Sequence, residues 1–193
     1  DGERIGWSAS DVSAAAECEY AVLRALDYRL GRATALDVPA DPLLEHIGRL
    51  GDKHEAEVLA RFREERTVIP LAHATPPLTR ESRREAAAVT REVLESIPLM
   101  PELVGTTEFA NGTEATAGVE AGAQSVARAG SVVVYQGAFF DGEFFGYADF
   151  LLATPAGWQV CDAKLAREAK PRALLQLGGY AAQVRALGLP LAP

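Results

Sequence analysis

Cysteine, methionine and histidine are scarce in this chain: two, one and three among 193 residues. Cys18 and Cys161 form no C-x-x-C pair, so neither a disulfide framework nor a four-cysteine zinc site can be built from them. Long apolar runs are also missing. No segment approaches the roughly 18 consecutive apolar residues that a membrane span needs. The opening residues, DGERIGWSAS, lack the basic start and apolar stretch of a secretory leader. A cytoplasmic protein without membrane contact is the expectation. Basic charge is in deficit: 19 Lys and Arg against 27 Asp and Glu give a formal charge of -8. That balance argues against a general nucleic-acid coat, but a binding site needs only a local patch. One such patch runs from Asp162 to Arg185, with five basic residues against two acidic.

What is present is enough for a core. With 48% hydrophobic and 24% charged residues, the composition excludes disorder and a collagen-like fibre and predicts one compact domain over residues 1–193. Its N-terminal part, about 8–97, reads as helical. Ser10 and Asp11 open a first helix whose apolar positions Ala15, Cys18, Val22, Leu26 and Leu30 recur every three or four residues until Gly31. A second starts at Asp41-Pro42 and carries Leu44, Ile47, Leu50, Gly51, His54, Val58 and Phe62 on one stripe. This predicts a histidine on a buried face. Alternating charge over 79–97 predicts a solvated helix between Thr79 and Pro98. Between 102 and 130 a strand over 103–109 and a short helix over 114–129 are expected.

From Ser131 the period becomes that of sheet. Three β-rich runs are separated by Asp141-Gly142, the pair that type I′ hairpins prefer, and by Thr154-Pro155-Ala156-Gly157. They predict an antiparallel meander. A helix follows from Pro171, with Leu174, Leu177, Ala181 and Val184 on its stripe, and stops at Gly188 and Pro190. Residues 189–193 look like the start of a further strand, as if the chain continued. The fold class is mixed α/β, with its meander-plus-helix core at about 131–188.

Folding the second hairpin symmetrically about its turn sets Ala153 opposite Trp158, and Asp149 then opposes Asp162. Opposed residues of an antiparallel pair share a face at Cβ separations of about 4.5–5.5 Å, where like charges repel. Two aspartates placed so among apolar neighbours call for a cation. Lys164 shares the face of Asp162, because side chains alternate along a strand. Oxygen ligands suit Mg²⁺ or Mn²⁺, and a lysine beside them can hold a phosphate oxygen and an attacking water. A one-residue slip would separate the aspartates. His54 is either a satisfied core histidine or a ligand. Gly51, one turn earlier and costly in a helix, suggests that something approaches that face. Glu55 is either a ligand, a partner of one, or a solvated carboxylate. Gln176 and Tyr180 share a helix face.

Together these features resemble the RecB-type nuclease domain of the PD-(D/E)xK superfamily. The resemblance rests on Gly51-Asp52-Lys53-His54-Glu55, Gly146-Tyr147-Ala148-Asp149, Asp162-Ala163-Lys164 and Gln176-Leu177-Gly178-Gly179-Tyr180, in that order. It is similar to RecB-like relatives of the CRISPR-associated adaptation nucleases, chiefly over 131–188 and around His54. The resemblance implies a restriction-endonuclease-like core and metal-assisted hydrolysis of DNA. His54, Asp149, Asp162 and the Ala163 carbonyl would ligate the ion, and Lys164 would complete the catalytic set with Asp149 and Asp162. Glu55, Gln176 and Tyr180 would position the site or the strand. Arg167, Lys170, Arg172 and Arg185 either hold phosphates or form a solvated loop and helix end. The resemblance also implies a role in DNA repair, recombination or defence, within or beside a helicase or second nuclease-like module. An iron–sulfur cluster of the kind many relatives carry is not supported, because no cysteines follow the last motif; Cys18 is expected to be a small buried thiol. The alternative is a nuclease-fold module that binds nucleic acid or a protein partner without cutting.

Overall fold

A computed structural model describes residues 5–34, 39–71, 79–99, 132–165 and 170–193. Helices α1 (Ala9–Glu17), α2 (Glu19–Arg29) and α3 (Pro42–Glu65) lead into strand β1 (Thr67–Pro70) and helix α4 (Arg80–Ser96). Strands β2 (Val132–Phe140), β3 (Phe145–Thr154) and β4 (Gly157–Cys161) and helix α5 (Pro171–Ala186) complete the order. The expected strand over 103–109 and helix over 114–129 lie outside the described residues. Among the described residues, no helix is long and apolar enough to cross a membrane.

The sheet is mixed, in the order β1-β2-β3-β4. The expected meander is present as β2, β3 and β4, but β1 pairs in parallel with the first half of β2, from Thr67 opposite Val132 to Pro70 opposite Tyr135. Four residues ending in proline give no alternating pattern to read, so β1 was not legible in advance. A parallel partner needs a crossover, and α4 lies within that connection. The helix is therefore not simply solvated: Ala86, Thr90 and Leu94 are buried, and Thr90 Oγ1 accepts the Ala138 N–H at 2.9 Å. That N–H lies beyond the reach of β1 and would otherwise be an unpaired donor in the interior.

Two clusters form the core. Val132, Val134, Leu151, Ala153 and Trp158 pack with Leu94 of α4 and with Tyr180 and Val184 of α5. On the other side, Val133, Phe150 and Leu152 pack with Leu59, Val58 and Phe62 of α3. The last residues add an edge contact, as Trp158 N–H donates to the Pro190 carbonyl at 2.8 Å and Leu191 forms a bridge to Trp158. Gly157 is required there. Its φ is +133°, and a Cβ would lie 2.6 Å from the Pro190 oxygen.

Three local expectations are corrected. The first helix is two helices, broken at Cys18, whose extended backbone (φ -159°, ψ 100°) caps both; Cys18 is exposed rather than buried. Asp141-Gly142 is not a two-residue I′ turn. Phe140 pairs with Phe145, so the loop has four residues. Asp141 Oδ1 accepts the N–H groups of Glu143 and Phe144, while Gln183 of α5 donates to Oδ2 at 2.7 Å. That local side-chain capping adds to the one backbone bond across the loop, from the Asp141 N–H to the Phe144 carbonyl at 3.3 Å. In α3 the apolar stripe is buried only from its middle onward, and all of residues 41–50 are exposed.

Candidate active site beside the β3–β4 hairpin

The β2–β3 ladder is interrupted at one place. Tyr135 pairs with Phe150 and Gly137 with Ala148, but Gln136 and Asp149 between them do not pair. Gln136 has φ +61°, a left-handed backbone that a residue other than glycine adopts at a cost. Alternation is suspended here. Tyr135 and Phe150 belong to the α3 side, with rings 5.4 Å apart. Two residues away, Ala148 belongs to the other cluster, and a Cβ on Gly137 would meet Leu151 and Thr90. One residue on each strand is used up by the break, so register is kept while the faces exchange. Asp149 is the β3 residue at that break.

The neighbouring pairing is the one expected from the turn, with Ala153 opposite Trp158 and Phe150 opposite Cys161. The strand ends at Cys161, so Asp162, Ala163 and Lys164 follow β4 rather than lying within it. The Ala163 N–H donates to Asp149 Oδ2 at 3.2 Å. A carboxylate has taken the place of the next backbone acceptor, and this holds Asp162 beside Asp149. Lys164 Nζ lies 2.9 Å from Asp162 Oδ2; the aspartate side chain is 6% exposed and the lysine 49%. With Asp149 ionised, the Lys164 ammonium is the countercharge of Asp162, whose two side-chain oxygens are shielded from solvent. Burial, then a hydrogen bond to Asp162 and the charge of that carboxylate, pushes Asp149 up to about 8. Near neutral pH a proton is thus shared by the pair, because two adjacent buried carboxylates do not both ionise unaided.

Helix α3 contributes Glu55. Its Oε1 accepts from the Tyr135 hydroxyl at 2.9 Å and from Gln136 Nε2 at 2.8 Å, and its charge also acts on Asp149. Tyr135 and Gln136 were not singled out in the sequence. The available signal was a glutamine before glycine inside the apolar run VVVYQGAFF. From α5, Tyr180 is buried and lies against Gly146, where a Cβ would come within 2.8 Å of its hydroxyl. Burial, with added push from Asp149 and Asp162 and an opposing hydrogen bond from Gln176, raises its phenol to about 12. Gln176 and Tyr180 are therefore in contact on one face of α5, as their spacing predicted.

His54 is half-buried next to Glu55. Among the described residues nothing lies within 4 Å of where a Cβ on Gly51 would be, so the close approach expected there is not made by any of them. Among the described residues no three His, Cys, Asp or Glu side chains form a metal-holding group. Lys170 is exposed and precedes α5. Arg172 pairs with Glu17 at 3.6 Å, its carbonyl accepting from Ser13 Oγ, which ties it to α1. Arg185 is exposed in the last turn of α5, and Arg167 lies outside the described residues. The chain matches no protein-family profile, no curated protein and no solved structure.

Proposed function

We propose that this protein is a RecB-like nuclease of the PD-(D/E)xK type, with a restriction-endonuclease-like core, that hydrolyses DNA phosphodiester bonds with Mg²⁺ or Mn²⁺. The observation that carries the reading is the contact of Asp149 with Asp162, with Lys164 Nζ 2.9 Å from the latter. The donor set fits a hard divalent cation. Both carboxylates are hard oxygen donors, the Asp162 oxygens are buried beside Lys164, and the proton on the pair does part of the charge compensation a cation would do. Asp149, Asp162 and the Ala163 carbonyl would hold it, with His54 of α3 as the further ligand. Two carboxylates rather than a closed cage suit Mg²⁺, which keeps several waters. Such an ion supplies Lewis acidity toward a phosphoryl oxygen and makes hydroxide available near neutral pH.

The chain's own residues do the rest. Lys164, half-exposed at the edge of the pair, would donate to a phosphate oxygen, stabilising charge that grows in the transition state. Asp149 must lose its proton before both carboxylates can act as ligands, so metal binding should release a proton and tighten as pH rises. Tyr180 stays protonated throughout that range and, with Gln176, walls the site from α5. A role in DNA repair, recombination or defence, beside a helicase module, belongs to the same proposal.

Cleavage of labelled single-stranded and duplex DNA, with Mg²⁺ and with Mn²⁺, tests it against the Lys164→Ala protein. The variant keeps both aspartates, so activity is expected to fall about 10²–10³-fold while the protein stays folded. Equal activity of the two proteins would assign the cleavage to a contaminant. Binding of DNA without cleavage by either would establish the non-cutting module instead.

A further inference from the structure

Tyr135 and Gln136 are consecutive in β2, yet both reach one oxygen of α3. The Tyr135 hydroxyl and Gln136 Nε2 donate to Glu55 Oε1 at 2.9 and 2.8 Å. In an unbroken strand successive side chains point to opposite faces, so with Tyr135 on the α3 side Gln136 would turn toward α4. The left-handed φ of +61° at Gln136 brings its side chain to the α3 side as well. Gly137 then faces the α4 side, against Thr90 and Leu151. Glycine adopts such a backbone freely, whereas glutamine holds it at a cost. What glutamine adds at this position is its amide, and the amide is spent on Glu55.

We infer that Gln136 and Tyr135 are positioning residues for the proposed reaction: they fix Glu55 so that its second oxygen accepts from a water carried by the ion. The inference rests on the nuclease reading and deepens it. Among the described residues both donors go to Oε1 and none to Oε2. Glu55 stands outside the aspartate pair, because among the described residues no three such side chains form a metal-holding group. Its charge nevertheless acts on Asp149, and that of Asp149 acts on the Tyr135 phenol. A carboxylate at that remove reaches an ion through one of the waters that Mg²⁺ or Mn²⁺ keeps. Two donors on one oxygen hold the carboxylate in one orientation and favour its charged form beside two other acids. The strained residue thus serves an ion it does not touch.

The test is isothermal titration calorimetry with Mn²⁺ alone, without nucleic acid, on the wild type, Gln136→Gly, Glu55→Gln and the double variant. Gln136→Gly and Glu55→Gln are each expected to weaken Mn²⁺ binding about tenfold, the scale of a lost partner around a metal. The double variant should be no weaker than either single one, since the amide acts through the carboxylate. In EDTA the Tm of Gln136→Gly should stay close to that of the wild type, because glycine relieves the backbone. A bond that only braced the fold would leave Mn²⁺ affinity unmoved in a folded variant. Circular dichroism identifies a variant that fails to fold, in which case Tyr135→Phe decides, with a weakening of about threefold expected for one lost hydrogen bond. Wild-type affinity in folded Gln136→Gly, or losses that add in the double variant, overturns the inference and leaves the ion site standing. Absence of Mn²⁺ binding by the wild type overturns the inference and the ion together. Non-additive tenfold losses in a protein that cuts no DNA keep the positioning pair and remove the nuclease.

Discussion

The β3–β4 hairpin and the first half of α3 are equally apolar in pattern and opposite in fate. In the hairpin Phe150, Leu151, Ala153 and Trp158 are almost fully enclosed. In α3 Leu43, Leu44, Ile47 and Leu50 are 64, 66, 50 and 42% exposed. The difference lies in who provides the partner. A strand next to a tight turn brings its own partner, and each residue's neighbour follows from the turn. A helix carries its stripe but not the surface that will cover it. Among the described residues, the stripe of α3 meets the sheet through Val58, Leu59 and Phe62, in a cluster with Val133, Phe150 and Leu152.

The sharpest way to break this comparison is to truncate one side chain from each region. Trp158→Ala should cost ~3–5 kcal/mol in urea unfolding, because an enclosed indole leaves a cavity that the sheet cannot close. A loss below about 1 kcal/mol would mean that the hairpin is less tightly packed than its burial indicates.

An intermediate effect belongs to the site itself. The native pair holds a proton up to about pH 8, whereas an unfolded aspartate releases it near 3.9. Between those values the folded state binds more protons, so in EDTA stability should fall as pH rises. Asp149→Asn removes the ionisation. The variant should be the more stable protein at pH 9, by an amount of order 1–3 kcal/mol, and should show a flatter stability profile across that window. It should also lose any rise in Tm that Mg²⁺ or Mn²⁺ gives the wild type. A less stable, still pH-dependent variant would remove the shared proton from the account.

The smallest effect is expected in α3. Leu44→Gln should change stability by no more than about 0.5 kcal/mol, since the side chain is two-thirds exposed. A cost above about 2 kcal/mol would show that the stripe is covered in solution and that the two regions are alike after all.

The site was legible in proportion to how local its causes are. Asp149, Asp162 and Lys164 could be brought together on paper because one turn fixes the register between them. Gln176 and Tyr180 were readable from helical spacing. Glu55 was left open because its role depends on where α3 crosses the sheet, and no periodicity reports a crossing. Tyr135 and Gln136 were missed for a related reason. The expectation assumed unbroken alternation, whereas the left-handed backbone at Gln136 suspends it. Strand β1 was hidden because its partner is parallel and distant in sequence.

The sequence by itself determined the ranges of α3, α4 and α5, the β2-β3-β4 order, the pairing of Ala153 with Trp158, and the proximity of two aspartates and a lysine. All of these follow from interactions within a few residues or across one turn. Only the tertiary structure decided that β1 joins the sheet, that α4 is packed rather than solvated, that half of the α3 stripe stays exposed, and that Glu55 is held by Tyr135 and Gln136. Those outcomes depend on which surfaces meet across long stretches of chain. There the free energy comes from burial and from satisfying isolated donors such as the Ala138 N–H, and local pattern carries no record of it.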